Sequence, residues 1–234
     1  MSDPDWHAAL ARVLDDHGVD AARLPRFAAL LDLLRDDPTA PTTVTDPAAA
    51  VAAHVADSLD GLAAPALRDA ARIADLGSGA GFPGIALALA RPDAHVDLVE
   101  SLSRKCAFLE RAVEAAAAGN VTVACARAEE WPGRELDAVT VRAVAPLNVL
   151  VEYAAPLLRI DGTLVAWKGR PEAHEVHDGA AAARLVGLEM GEPIVLEGRP
   201  GAEHRTLYLY SKVRPTPDRF PRRPGMARKR PLSG

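Results

Sequence analysis

The sequence predicts an α/β fold in which a mostly parallel, seven-stranded sheet with helices on both faces follows an N-terminal helical extension. Three observations carry this. The 234 residues are 49% apolar and 25% charged, enough to bury one full hydrophobic core with an appendage. The opening third of the chain shows apolar positions at helical spacing. From Arg72 onward, short apolar runs alternate with longer helical stretches, the rhythm of βα units. The chain accordingly divides into a helical extension over 1–66, a sheet-containing core over 67–213 and a basic, proline-rich tail over 214–234.

Element by element, residues 4–15 and 23–36 read as helices, and 46–60 continues the pattern through Val51, Val55 and Leu59. A strand over 73–76 is followed by a helix over 83–91, a strand over 95–100 and a helix over 103–118. Strands over 121–125 and 137–142, a helix beginning near Pro146, a strand over 163–168 and a helix over 171–185 come next. Strands over 193–197 and 204–213 close the core. Alanine-rich patches at 48–53, 115–118 and 180–183 favour helix and do not mark a repeat. Successive βα units pair their strands in parallel, and such sheets bind ligands at the carboxyl ends of the strands.

Composition excludes several classes of function. The N-terminus reads Met-Ser-Asp-Pro-Asp-Trp, without a basic stretch leading into an apolar core, so a cytoplasmic protein is expected. The longest apolar run, Phe82 to Ala90, is far short of the roughly 20 residues that span a bilayer. Two cysteines, Cys106 in a helical pattern and Cys125 in a strand pattern, build neither a disulfide framework nor a CxxC metal site, and both are expected to be inert core thiols. His174-Glu175-Val176-His177 lacks HExxH spacing and a third ligand, so no metal is expected. Charge is unevenly spread: from residue 213 onward seven basic residues face Asp218 alone, a net +6 that leaves −11 on the rest of a chain totalling −5. Prolines at 215, 217, 221, 224 and 231 argue that this tail forms no helix or central strand and runs extended or loose, available to phosphates.

The informative segment is Asp75-Leu76 followed by Gly77-Ser78-Gly79-Ala80-Gly81-Phe82-Pro83-Gly84. Glycines at 77, 79 and 81 let the backbone turn sharply against a ligand, and Pro83 suits a first helical turn. Gly79, Gly81 and Gly84 also satisfy GxGxxG, the dinucleotide fingerprint. There, however, the first glycine directly follows the strand, and counting from Gly77 puts Phe82 in the third-glycine position. Asp75-x-Gly77-x-Gly79-x-Gly81 instead has the form used by Rossmann-like, class I S-adenosylmethionine-dependent methyltransferases. Glu100 ends the next strand, where an acid accepts ribose hydroxyls of either cofactor. Arg127-Ala128-Glu129-Glu130 follows the third strand, where adenine usually meets backbone amides and an acid. His54 and Asp57, three residues apart on one helix, stand ready to brace a substrate entrance or to serve as capping groups.

These residues resemble the bacterial ribosomal RNA small subunit methyltransferase G family, also called glucose-inhibited division protein B. The resemblance covers nearly the whole chain. It rests on Thr43-Val44-Thr45-Asp46-Pro47, on His54-x-x-Asp57-Ser58-Leu59 and on the loop from Gly77 to Gly84. Leu102-x-Arg104-Lys105, Arg127-Ala128-Glu129-Glu130, Val141-Arg142-Ala143, Lys168-Gly169 and Pro217-x-Arg219-Phe220-Pro221-Arg222-Arg223-x-Gly225 extend it. The chain departs at Glu100, where aspartate is frequent, at Val141, where serine is usual, and at Phe220, where tyrosine is common.

The resemblance implies methylation of N7 of a guanine in 16S ribosomal RNA, guanine 527 in the usual rRNA numbering, with S-adenosyl-L-methionine as donor. It implies donor binding by Gly77, Gly79, Gly81, Phe82, Glu100, Ala128, Glu129 and Arg142, and catalytic roles for Arg142, Lys168 and Arg127. The partner would be 16S ribosomal RNA in the small subunit or an assembly intermediate, met by a metal-free monomer. A methyltransferase acting on a small molecule is the alternative: it would share the cofactor loop and have no use for the basic tail.

Overall fold

The computed structural model describes residues 6–142, 144–196, 198 and 204–233. Ala143 and the end of the strand expected over 193–197 therefore lie outside the described residues. Among the described residues, eight strands form one sheet: β1 (Arg72–Leu76), β2 (His95–Glu100), β3 (Val121–Cys125), β4 (Leu136–Arg142), β5 (Leu158–Lys168), β6 (Leu188–Met190), β7 (Ile194–Leu196) and β8 (Arg205–Lys212). The order is β3-β2-β1-β4-β5-β8-β6, and β7 also pairs with β8. β1 to β5 run parallel, whereas β8 runs antiparallel to β5, β6 and β7. The order turns around at β1, which is the switch point of an open α/β sheet. Seven strands were expected. The eighth, β6, is three residues long, too short to show the period of two that identifies a strand.

Alternation along each strand feeds two cores, because successive side chains leave a sheet on opposite faces. Ile73, Val96, Leu98, Val165 and Trp167 point to one face and pack with Leu10, Leu14, Phe27, Leu30 and Leu34 of the opening helices α1 (Trp6–Asp16) and α2 (Leu24–Asp36). Ala74, Leu76, Val99, Leu164 and Ala166 point to the other, against α8 (Leu147–Ala154) and α9 (Ala173–Val186). Each of these large apolar side chains contributes about 1.5–3 kcal/mol by leaving water. Gly187, at φ +89°, ends α9 in the left-handed conformation that glycine adopts without strain.

Between these lie α3 (Pro47–Ala50), a π-turn over Val51–Ala56, α4 (Asp57–Leu59), α5 (Pro65–Arg68), α6 (Gly84–Ala90) and α7 (Ser103–Ala115). Asp46 caps α3 by accepting from the Ala49 amide at 2.9 Å. The single helix expected over 46–60 is thus interrupted. The amide of Asp57 reaches back five residues to Ala52, and the Ser58 hydroxyl donates to His54 O at 2.5 Å, a side-chain bond that competes with regular winding. α7 stops at Ala115, short of the expected 118. Ala116 and Ala118 turn into the core instead, with Ala117 at φ +46°, so burial overrides alanine's helix propensity.

Two further expectations fail. The β2-α7-β3 crossover lays the first turn of α7 over the end of β3, and Cys106 and Cys125, with Cα atoms 5.7 Å apart, are joined in a disulfide rather than being two inert thiols. The tail forms a one-turn helix, α10 (Met226–Lys229), and is docked: Phe220 and Ala227 are buried, and Arg222 forms an ion pair with Glu152. The flanking prolines lie outside the helical turn. Their restriction limited its length and left it free to form.

Candidate functional site

The loop after β1 is shaped by what its neighbours leave open. Gly77 sits at φ +72°, and a Cβ there would lie 2.7 Å from Cγ2 of Val144, so only glycine fits both the conformation and the space. Its amide donates to Val99 O at 2.7 Å, stitching the loop to the end of β2. Asp75 is buried at the foot of the loop and accepts from the Gly84 amide at 3.1 Å. Burial pushes its carboxyl up to about 7 against the opposing pull of that amide and of Arg142. Gly84 is needed for the same contact, since a Cβ would meet Leu98 at 2.3 Å and the Asp75 carboxylate at 2.8 Å.

At the end of β2, Glu100 is buried with both oxygens engaged. One accepts from the amides of Ser101 at 2.7 Å and Leu102 at 3.0 Å; the other accepts from Gly79 N at 3.3 Å and faces Lys105 Nζ at 3.8 Å. Three backbone amides and the Lys105 ammonium fix the carboxylate in place.

Arg142, at the end of β4, is held from behind. Its guanidinium donates to Asp57 Oδ2 at 2.8 Å, to Ala53 O at 3.2 Å and to His54 Nδ1 at 3.5 Å, all on the π-turn or the residue that follows it. Arginine only donates, so Nδ1 is the accepting nitrogen and Nε2 carries the proton. Nε2 donates to Val44 O at 3.2 Å, with Thr42 Oγ1 at 3.1 Å. Burial, with the charge of Arg142 adding to it, lowers His54 to about 4. The neutral ring stacks on Phe82 at 4.9 Å. The other oxygen of the wholly buried Asp57 accepts from Arg205 Nε at 2.6 Å, and Trp167 Nε1 donates to Asp57 O at 2.9 Å. Asp57 is therefore a strut between β4, β5 and β8.

The loop after β1, Glu100 and Arg142 open onto a cavity of about 460 Å³ at the carboxyl ends of β1, β2, β3 and β4. Of the residues expected to act, Gly77, Glu100, Arg127, Ala128, Glu129 and Arg142 line it. Gly79, Gly81, Phe82 and Lys168 do not. Gly79 acts on the lining through its amide on Glu100, and Phe82 is buried behind Arg142, whose guanidinium lies 5.9 Å from its ring centre. Lys168 is drawn aside into an ion pair with Glu175 at 2.5 Å and donates to Ala145 O at 3.0 Å. Val144, Tyr153, Gly225 and Arg228 also line the cavity and were not anticipated. Tyr153 reads as one more apolar position of a helix, and nothing in the tail's composition points inward.

Among the described residues no group of three or more histidine, cysteine or carboxylate side chains is placed to hold a metal, and no helix is long and apolar enough to cross a membrane.

Residues 26–193 match the family model GidB, rRNA small subunit methyltransferase G. Ribosomal RNA small subunit methyltransferase G of Rubrobacter xylanophilus is 40% identical over 240 residues, covering 97% of this chain and 91% of its own length. The protein of the same name from Roseiflexus castenholzii is 44% identical over 200 residues, covering 82% and 83%. A mutant of MtNAS crystallised in complex with S-adenosylmethionine superposes with a TM-score of 0.58 at 15% identity, over 89% of this chain and 84% of that one. At that identity the superposition speaks for the Rossmann-like methyltransferase fold alone. With a family model matched over most of the sheet-containing chain, and full-length relatives at 40% identity, this chain belongs to the GidB family of rRNA small subunit methyltransferases, which use S-adenosylmethionine.

Proposed function

We propose that the chain methylates N7 of guanine 527 of 16S ribosomal RNA, in the small subunit or an assembly intermediate, as a cytoplasmic, metal-independent monomer. One observation carries the reading: Gly77, Glu100, Ala128, Glu129 and Arg142, far apart in sequence, share one cavity at the switch point of the sheet. A glycine that admits no Cβ, a fixed carboxylate for ribose hydroxyls and an acid beside a backbone stretch for adenine together suit an adenosine ligand. The donor, when bound, supplies an electrophilic methyl group on a sulfonium.

The remaining work belongs to the chain and is mostly positioning. Guanine N7 already presents an unprotonated lone pair, so no side chain need remove a proton before attack. The site agrees with that demand. Both ring nitrogens of His54 are committed, and the Asp75 carboxyl is turned to the Gly84 amide. Arg142, steered by Asp57, is poised to hold either the donor's carboxylate or guanine O6. Arg127, exposed at the rim, is suited to a phosphate.

Labelled methyl transfer to 16S ribosomal RNA from cells lacking this protein, followed by mapping of the modified nucleotide, tests the reading. N7-methylguanine at 527 is the expected product. A product at a pyrimidine or an exocyclic amine overturns it.

A further inference from the structure

The cavity has a wall that the family reading does not supply. Gly225 and Arg228 of the tail line it together with Glu100 and Glu129. The Gly225 amide donates to Glu129 Oε1 at 2.9 Å, in the loop after β3, and Arg228 donates to Val144 O at 3.1 Å, in the loop after β4. The side chain of Val144 is the one that fills the space a Cβ on Gly77 would need. One turn of tail thus ties together the loop expected at adenine and the loop packed on the glycine turn.

The turn is itself fastened from below. Arg222 grips the buried Glu152 of α8 through Nε at 2.8 Å and a second guanidinium nitrogen at 2.6 Å, with its own amide at 3.2 Å. Asn148 donates to Leu232 O at 2.8 Å. A ligand seated among the two loops and the tail touches all three, so whatever holds the tail in place also completes the ligand's surroundings.

We propose that the segment from Arg222 to Leu232 is a subsite for the nucleoside end of the methyl donor, and that its docking and donor binding stabilise each other; this rests on the function proposed above. By reciprocity, donor binding shifts the tail's equilibrium towards the docked form by the same factor by which docking of the tail tightens donor binding.

The test uses the full chain. Hydrogen exchange over residues 222–232 is followed with and without saturating S-adenosylmethionine, and calorimetry compares the wild type with Arg228→Ala and Arg228→Lys. Arg228 is exposed, so both variants should fold, which the unchanged thermal transition of the ligand-free proteins would verify. The expected result is slower exchange in the tail with donor, about fivefold or more weaker donor binding for Arg228→Ala, and partial recovery for Arg228→Lys. Donor binding of undiminished affinity to Arg228→Ala, with tail exchange indifferent to donor, overturns the proposal and leaves the methyltransferase reading intact. A wild-type chain that gives no heat with donor sinks both.

Discussion

The buried carboxylates of Asp57 and Glu152 both hold arginines, and they hold them to different ends. Asp57 and Glu152 both have side chains about 1% exposed, and each forms ion pairs of 2.6–2.8 Å. The partners of Asp57, Arg142 and Arg205, come from the ends of two sheet strands, whereas the partner of Glu152, Arg222, comes from the tail. A carboxylate bound to the sheet fixes the aim of a guanidinium; one bound to a terminal segment fastens that segment. Ion pairing is thus used once for geometry and once for attachment.

Removing Asp57 should break the comparison hardest. Asp57→Ala leaves two guanidinium groups without their anion in a site that cannot open without disturbing β4, β5 and β8, and breaking a buried pair costs about 3–5 kcal/mol. Urea denaturation should show a loss of that size, accompanied by loss of methyl transfer. A loss under about 1 kcal/mol would mean that the strut is dispensable.

The pH response sharpens the same side. His54 is neutral when folded and lowered to about 4 from 6.5. The stability it contributes is therefore complete above about pH 6.5 and is lost as pH falls through that value towards 4, by at most about 3 kcal/mol. Asp75, raised to about 7, has the opposite sign: its contribution is present at low pH and fades as pH rises from about 4 to 7. Urea midpoints at pH 7 and pH 4.5 for wild type and His54→Gln isolate the histidine, because Asp75 is common to both. The wild type should fall further on acidification; parallel losses would refute the assignment.

The smallest effect is expected on the tail side. Arg222→Ala strands the buried Glu152, yet the tail can peel away and let water reach the carboxylate, which caps the loss at the cost of local opening, about 1–2 kcal/mol. Limited trypsin digestion should then cut within 222–230 well before the sheet unfolds. A global loss as large as that of Asp57→Ala would show that the two carboxylates do the same job.

Much of the sheet was readable because βα alternation repeats the same signal, and the cavity's glycine, Glu100 and Glu129 follow strands whose ends are marked by sharp changes in polarity. What escaped depends on contacts that no local pattern reports. Arg205 begins an antiparallel strand and meets a carboxylate 148 residues away. Tyr153 and Val144 line the cavity beside Gly225 and Arg228 of the tail, a neighbourhood assembled from three distant segments. The Cys106–Cys125 bond joins residues 19 apart that become neighbours through a crossover, and the expectation of free thiols weighed their number and not their positions. Lys168, placed correctly at a strand end, is diverted by Glu175, a partner whose side of α9 could not be known before the helix was docked.

The π-turn at Val51–Ala56 makes the chain's length there matter more than its letters. An added residue in a helix rotates everything after it by about 100°. The wide turn absorbs that rotation, so winding resumes at Asp57 with its carboxylate between Arg142 and Arg205 while Ala53 and His54 also face Arg142. Inserting one further residue, with no second wide turn to absorb it, would carry the carboxylate more than a quarter-turn away from both arginines. The stretch should thus accept exchange of one alanine for another small residue far more readily than it accepts a change in spacing.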